Sequence, residues 1–186
     1  HRAERLLTEQ RWAEAIEPLQ TLRQHLPQQQ GADSAYAGLA LAHRQLGDTN
    51  AELAALRQWA EHDTGTPEAP LRLMELASAT GDWEELRRNA DRLLAIRPML
   101  PQLHRALAQA GEATGRPAEA EAAWTRLLRL DPADPAEAHF HLARLLHQRG
   151  DPSARRHLLQ ALEEAPRHRE ALALLLTLET TAPAPR

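Results

Sequence analysis

The chain has 186 residues, enough for one ordinary domain or about five helix pairs of a repeat protein. It carries 22 basic residues, all Arg, against 26 acidic ones, and the net charge of −4 argues against a nucleic-acid role or attraction to an anionic membrane. The absence of Cys excludes disulfides, thiolate metal sites and Cys nucleophiles, and the absence of Lys excludes a Schiff-base Lys and a Walker-type phosphate-binding Lys. No apolar run has the length of a membrane span.

The first 32 residues have the pattern of a partial repeat. The stretch before Arg11 resembles the second half of a helix, and we expect the chain to be a piece of a longer protein. A second helix follows, with apolar residues at helical spacing up to Pro27. Pro18 lies inside that helix, which predicts a bend there. The Gln-rich stretch 28–31 then inserts about three residues before the regular array begins.

Four glycines give the array its period. Gly47, Gly81, Gly115 and Gly150 lie 34, 34 and 35 residues apart, each between two apolar-periodic stretches. This spacing is typical of a helical repeat array. The predicted full repeats are 33–66, 67–100, 101–134 and 135–168.

The third repeat shows the pattern best, because small residues at Ala108 and Ala120 would let two helices touch while Trp124 fills the space beside them. The fourth repeat appears one residue short in its second helix. A terminal helix is predicted over 169–180, and the Pro-containing stretch 181–186 is predicted to be a disordered tail. The chain from 1 to 180 is therefore predicted to be a single array.

The residues between the helices support the same boundaries. Gly at the end of each first helix suits the left-handed conformation of a helix C-terminus. Asp48, Asp82 and Asp151 follow three of these glycines, where they can cap the next helix.

This phased alternation of large and small residues resembles the tetratricopeptide repeat. The resemblance implies an all-α fold, a right-handed α-solenoid of about eleven antiparallel helices. The stretch from Pro135 to Leu178 also shows a weaker likeness to the C-terminal repeat regions of larger bacterial metallopeptidase-like proteins. The sequence does not indicate a compartment.

No catalytic, cofactor or metal site is predicted. His139, His141 and His147 are the densest His group, but no two of them have the i, i+3 or i, i+4 spacing of helical metal ligands. The motifs HExxH, GxSxG and GxGxxG do not occur. We therefore predict that the chain is not an enzyme.

The resemblance places a binding groove on the concave face lined by the first helices. The exposed positions expected to contact a peptide or partner protein are Arg44, Leu71, Glu75, Arg105, Gln109, Glu112, Phe140, Arg144 and His147. Ala37, Leu41 and Ser78 share their phase.

Two interpretations of this face remain open. Arg105 and Arg144 can bind a partner carboxylate while Phe140 or Leu71 takes an apolar side chain. Alternatively, these Arg pair with Glu75 and Glu112 on an idle surface.

The leading functional hypothesis is a protein-interaction scaffold. One alternative is an accessory region of a larger enzyme, and another is a homo-oligomerisation module that pairs through Ala3, Leu6 and Leu7, which the broken first repeat is predicted to expose.

Overall fold

The computed structural model describes residues 2–181 and shows only α-helices and connecting loops in that range, which confirms the predicted all-α class. The helices are α1 (Arg2–Thr8), α2 (Trp12–His25), α3 (Ala35–Gln45), α4 (Thr49–His62), α5 (Glu68–Thr80), α6 (Trp83–Ile96), α7 (Pro101–Ala113), α8 (Pro117–Arg129), α9 (Pro135–Gln148), α10 (Ser153–Glu164) and α11 (Arg169–Thr181). The predicted tail falls almost wholly outside the described residues.

The chain forms two compact units that meet in sequence between Pro98 and Met99. Unit 1 contains α1 to α6, and unit 2 contains α7 to α11. In each unit a helix packs mainly against the helices before and after it in the chain. Short loops connect them, so successive helices form the hairpins of an α-solenoid.

The Gly and Asp residues of the loops mark the ends of the helices as predicted. Gly47, Gly81, Gly115 and Gly150 all have φ between 68° and 74°, the left-handed region in which a side chain is strained. The carboxylate of Asp48 accepts a hydrogen bond from the Ala51 N–H. Asp82 caps the next helix through the Glu85 N–H in the same way.

The core of unit 1 includes α1. The prediction that the apolar residues Ala3, Leu6 and Leu7 of this helix are exposed is wrong. Ala3 and Leu6 are 6% and 4% exposed, and Leu7 is half-buried. After α1 the chain turns at Gln10, whose φ is 58°, and α1 packs against α2 and α3. The apolar residues of α1 are therefore packed against α2 and α3.

A buried carboxylate fixes the Gln-rich insert. Asp63, 5% exposed, accepts hydrogen bonds from the N–H groups of Gly31 (2.7 Å) and Gly65 (3.2 Å) and from the Thr66 hydroxyl. Burial by itself raises the pKa of Asp63, but the Thr66 hydroxyl and the backbone N–H donors hold that pKa below its ordinary value. The insert is thereby tied to the loop that follows α4.

The core of unit 2 has the contacts that the period predicted. Ala108, Ala120 and Trp124 are fully buried together where α7 meets α8. A Cβ atom placed on Gly111 would lie 2.9 Å from the backbone nitrogen of Ala120, so the two helices approach as closely as their backbones permit. The predicted role of Trp124 as the large core residue is confirmed, and α10, with 12 residues, is short as expected.

Candidate functional site

The predicted site residues belong to the first helix of each repeat. We call these surfaces the first-helix faces: in unit 1 they comprise Arg44 on α3 with Leu71 and Glu75 on α5. In unit 2 they comprise Arg105, Gln109 and Glu112 on α7 with Phe140, Arg144 and His147 on α9. The start of α3 is fixed by buried Ser34, whose hydroxyl accepts the Ala37 N–H, and the start of α9 by Asp134, which accepts the Glu137 N–H.

Glu112 is the centre of a polar cluster in unit 2. Its carboxylate accepts a hydrogen bond from the Trp124 indole Nε1–H at 2.7 Å and contacts His141 Nδ1 at 2.8 Å. The Arg144 guanidinium donates to the second carboxylate oxygen. The Glu112 side chain is only 12% exposed, so three neighbours replace the water that this carboxylate would otherwise bind.

The surroundings of His141 favour a neutral ring. Its ring stacks on Trp124 with the ring centroids 4.6 Å apart, and its Nδ1 lies 3.2 Å from an Arg144 nitrogen. Burial lowers the pKa of His141, and the carboxylates of Glu137 and Glu170 only partly offset that effect. A neutral ring that carries its proton on Nδ1 donates to Glu112 without placing a second cation beside Arg144.

A pair of histidines joins α9 to α10. The Nδ1 atoms of His139 and His157 lie 3.0 Å apart. Burial lowers the pKa of both rings; for His157 the neighbouring His139 acts in the same direction, whereas for His139 the carboxylate of Glu164 opposes it. When both rings are neutral, the Nδ1–H of one ring can donate a hydrogen bond to the Nδ1 of the other at this distance.

The two rings of this pair are not oriented to share a metal ion. The ring centroids are 5.2 Å apart, about the distance expected when the two nitrogens point at each other along the line between the rings. Both rings would have to turn before one ion could bind them. Among residues 2–181 there is no group of three or more His, Asp or Glu side chains arranged to hold a metal ion.

The two predicted carboxylate-binding arginines of unit 2 already have partners. Arg105 forms an ion pair with Glu137 at 2.9 Å, and Arg144 binds Glu112. Of the two interpretations of this face, the ion pairs of unit 2 fit the one in which the arginines bind carboxylates of this chain. The partner of Arg105 is Glu137 and not Glu75.

Phe140, a predicted apolar contact on the first-helix face of unit 2, is packed against other residues of this chain. The Phe140 ring lies 4.7 Å from the His168 ring and belongs to the apolar cluster that α9, α10 and α11 share. Gln109 and His147, the other two predicted site residues of these helices, are half-buried. A cavity of about 400 Å³ opens next to the cluster, lined by Glu112, Gly115, Pro117, Arg144, Leu145 and Gln148.

Unit 1 has a different arrangement around a cavity of about 240 Å³ between α3, α4 and α5. Ala37, Ala40 and Leu41 from α3 and Leu56 and Trp59 from α4 form its apolar lining. Leu41 is 40% exposed, so part of this apolar lining is open to solvent. The sequence placed Ala37 and Leu41 on this face but did not indicate the cavity.

The polar residues of this cavity differ in whether they are paired. Arg72 binds the buried carboxylate of Glu52 through two nitrogens, at 2.7 and 3.3 Å, and also Glu75 at 2.9 Å. Arg44 and Glu68 line the same cavity, and neither forms an ion pair within residues 2–181. Trp59 is 7% exposed, and its indole Nε1–H has no hydrogen-bond acceptor among the described residues.

Two further findings concern the length of the helices and the predicted site residue Leu71. No helix within residues 2–181 is long and apolar enough to cross a membrane. Leu71, which the sequence predicted as an apolar contact, is half-buried on α5.

Comparison with known proteins supports the tetratricopeptide resemblance. The family model described as tetratricopeptide repeat matches residues 101–145, which cover α7, α8 and most of α9. No curated protein matches. The weaker likeness to metallopeptidase-like proteins receives no support.

Solved structures share the fold at low sequence identity. MamA is 15% identical with a TM-score of 0.63, over 90% of this chain and 96% of its own. A MamA fragment from Desulfovibrio magneticus RS-1 is 16% identical with a TM-score of 0.59, over 89% of this chain and 92% of its own. YrrB, described as a TPR protein with an unusual peptide-binding site, is 13% identical with a TM-score of 0.67, over 92% of this chain and 87% of its own. At this identity the likeness concerns the fold.

Proposed function

We propose that this chain is a protein-interaction scaffold that binds a peptide or a partner protein on its first-helix faces. The observation that carries the proposal is the unit 1 cavity, which combines an apolar lining with the unpaired Arg44 at an exposed surface. Binding sites in proteins are commonly concave and apolar with a few polar groups that fix orientation. The fold shared with YrrB, a TPR protein with an unusual peptide-binding site, supports the same role.

Unit 2 supports the proposal through its rigidity. The side chains of Trp124, His141 and Arg144 are held by one carboxylate, and their cavity lies on the same kind of face. A surface whose side chains are already ordered loses less conformational entropy when a partner binds. The chemistry offered is recognition, since none of these groups is arranged as a nucleophile with its base.

Selection of peptides followed by a footprint tests the proposal. A random peptide library would be displayed and selected on the chain, and hydrogen exchange of each helix would be measured with and without the best binder. We expect protection on α3 and α5, or on α7 and α9. A scrambled peptide of the same composition is the control. Protection confined to α4, α6, α8 or α10, or a library from which nothing is enriched, would contradict the proposal.

A second candidate function is self-association through α11. Leu172 and Leu176 lie one helical turn apart and are 41% and 63% exposed. An exposed apolar stripe on a helix can pair with the same stripe of a second copy. Sedimentation velocity of the wild type and of Leu176→Gln tests this candidate, since a monomer at high concentration in both would exclude it. The role as an accessory region of a larger enzyme stays a prediction.

A further inference from the structure

We propose that the unit 1 cavity recognises an acidic side chain, Asp or Glu, of a partner peptide, which binds Arg44 while an adjacent apolar side chain of that peptide enters the cavity. This inference rests on the proposed function and names the chemistry of the partner. It follows from a difference in charge pairing between the arginines of the two first-helix faces.

The other arginines of these faces are already neutralised. Arg105 pairs with Glu137, Arg144 with Glu112, and Arg72 with Glu52 and Glu75. In each case the carboxylate comes from this chain, so a partner carboxylate would have to displace an internal one.

Arg44 is the exception on these faces. It forms no ion pair within the described residues and is exposed at the C-terminal end of α3. Glu75, the carboxylate that the sequence offered as a partner for these arginines, is bound to Arg72. An exposed guanidinium without an ion pair can form a charge-assisted hydrogen bond with the carboxylate of a partner.

The surroundings of Arg44 favour an acidic residue that has an apolar neighbour. The cavity beside it is lined by Ala37, Ala40, Leu41, Leu56 and Trp59, and burying an apolar side chain there is favourable. Trp59 also lines the cavity with a buried Nε1–H that lacks an acceptor, whereas the corresponding group of Trp124 in unit 2 donates to Glu112. A bound peptide can supply that acceptor from a backbone carbonyl once its binding opens access to the Nε1–H, which is closed to solvent in the free chain.

Glu68 fixes the expected orientation of the peptide. It lines the cavity from the start of α5 and forms no ion pair within residues 2–181, so the cavity has a cation contributed by α3 and a carboxylate contributed by α5. A partner carboxylate placed near Glu68 would be repelled. The acidic side chain is therefore expected at Arg44.

Two matched peptide libraries test the inference. Every peptide is acetylated and amidated, which removes terminal charges, and carries one central position that is Asp or Glu in the first library and Asn or Gln in the second. We expect binders from the acidic library only. For the best binder, Arg44→Gln should weaken binding by about 10- to 100-fold, the loss expected for a hydrogen bond to a charged group.

Control variants separate the local contact from general charge and stability effects. Arg126→Gln removes the same charge from an exposed arginine on α8 that has no ion pair in the described chain, and it should leave affinity unchanged. Leu41→Gln should weaken binding, whereas Leu159→Gln on α10, where the Leu is 37% exposed, should not. Circular dichroism before each titration shows that the variant is folded.

The indole signal of Trp59 provides a readout that does not depend on affinity. The chain has four Trp, so its indole N–H resonances are few, and Trp59→Phe assigns the relevant one. We expect this resonance to shift when the acidic peptide binds, while that of Trp124 stays in place. Binders that come equally from both libraries, or that bind Arg44→Gln as tightly as wild type, would overturn this inference and leave the proposed scaffold function standing. If neither library yields a binder, both are overturned.

Discussion

Glu112→Gln is expected to destabilise unit 2 by about 2–4 kcal/mol, between the value of one hydrogen bond to a charged group and the cost of removing one partner of a buried ion pair. The carboxylate has three neighbours, Trp124, His141 and Arg144. A Gln amide offers one acceptor oxygen, and its NH₂ group would face a donor on the other side. The cost stays below that of a fully buried ion pair because the Arg144 side chain is 42% exposed and can regain water.

Urea unfolding followed by circular dichroism measures this effect, and Glu121→Gln is the matched control. Glu121 also binds an arginine through two contacts, to Arg149 at 2.7 and 3.3 Å, but that arginine is 55% exposed. The control should therefore cost less than about 1 kcal/mol. Combining Glu112→Gln with Arg144→Ala should cost less than the sum of the single changes. If both Gln variants unfold at the same urea concentration as wild type, Glu112 is not the centre of a stabilising cluster.

Three further perturbations follow from the packing and the pKa shifts. Trp124→Ala should cost about 3–5 kcal/mol because it removes a fully buried large side chain, and an unchanged melting curve would mean that the repeat phase is wrong. Gly111→Ala should destabilise unit 2 by about 1–2 kcal/mol, because overpacking against the Ala120 backbone exceeds the gain in helix propensity. Gly38→Ala is the control: its added methyl group would meet the flexible end of the Leu19 side chain and no backbone, so it should cost less stability in the same urea assay. Acidification should loosen unit 2 before unit 1. The half-buried histidines of unit 2 have pKa values below their ordinary 6.5, so the unfolded state binds more protons and stability falls as the pH drops through that value. The depressed pKa of Asp63 stabilises unit 1 until the pH falls below its ordinary 3.8. Hydrogen exchange of each helix at a series of pH values would contradict this if α4 lost protection before α9.

The sequence predicted those features that depend on period and on residue size. Ala108, Ala120 and Trp124 were placed at one helix contact because a 34-residue phase aligns small and large residues, and backbone packing leaves little freedom there. The left-handed glycines and the Asp caps were equally predictable, since each depends on one residue and its immediate neighbours.

Charge pairing on the first-helix faces could not be predicted in the same way. Arg105 and Arg144 have long side chains that reach several positions on a neighbouring first helix. The repeat phase therefore predicts the face on which each arginine lies but not the carboxylate that it binds. Glu112 was assigned to a groove, yet its main contacts include Trp124 and His141. The only sequence signal was that its carboxylate shares a repeat with a Trp whose indole N–H needs an acceptor.

Equal phase in the repeat therefore does not imply equal chemistry. Arg44 and Glu112 both precede the glycine of their repeat by three residues, yet the first lies unpaired beside a cavity and the second is the centre of a buried cluster. Changing a charged residue of the unit 2 cluster removes an internal partner, so the effect should appear in stability. Changing Arg44 removes no internal partner, so the effect should appear in binding while stability is retained. The free energy of unfolding and the peptide affinity should both be measured for Arg44→Gln and Glu112→Gln. If each variant changes both quantities equally, the assignment of binding to Arg44 and of stability to Glu112 is wrong.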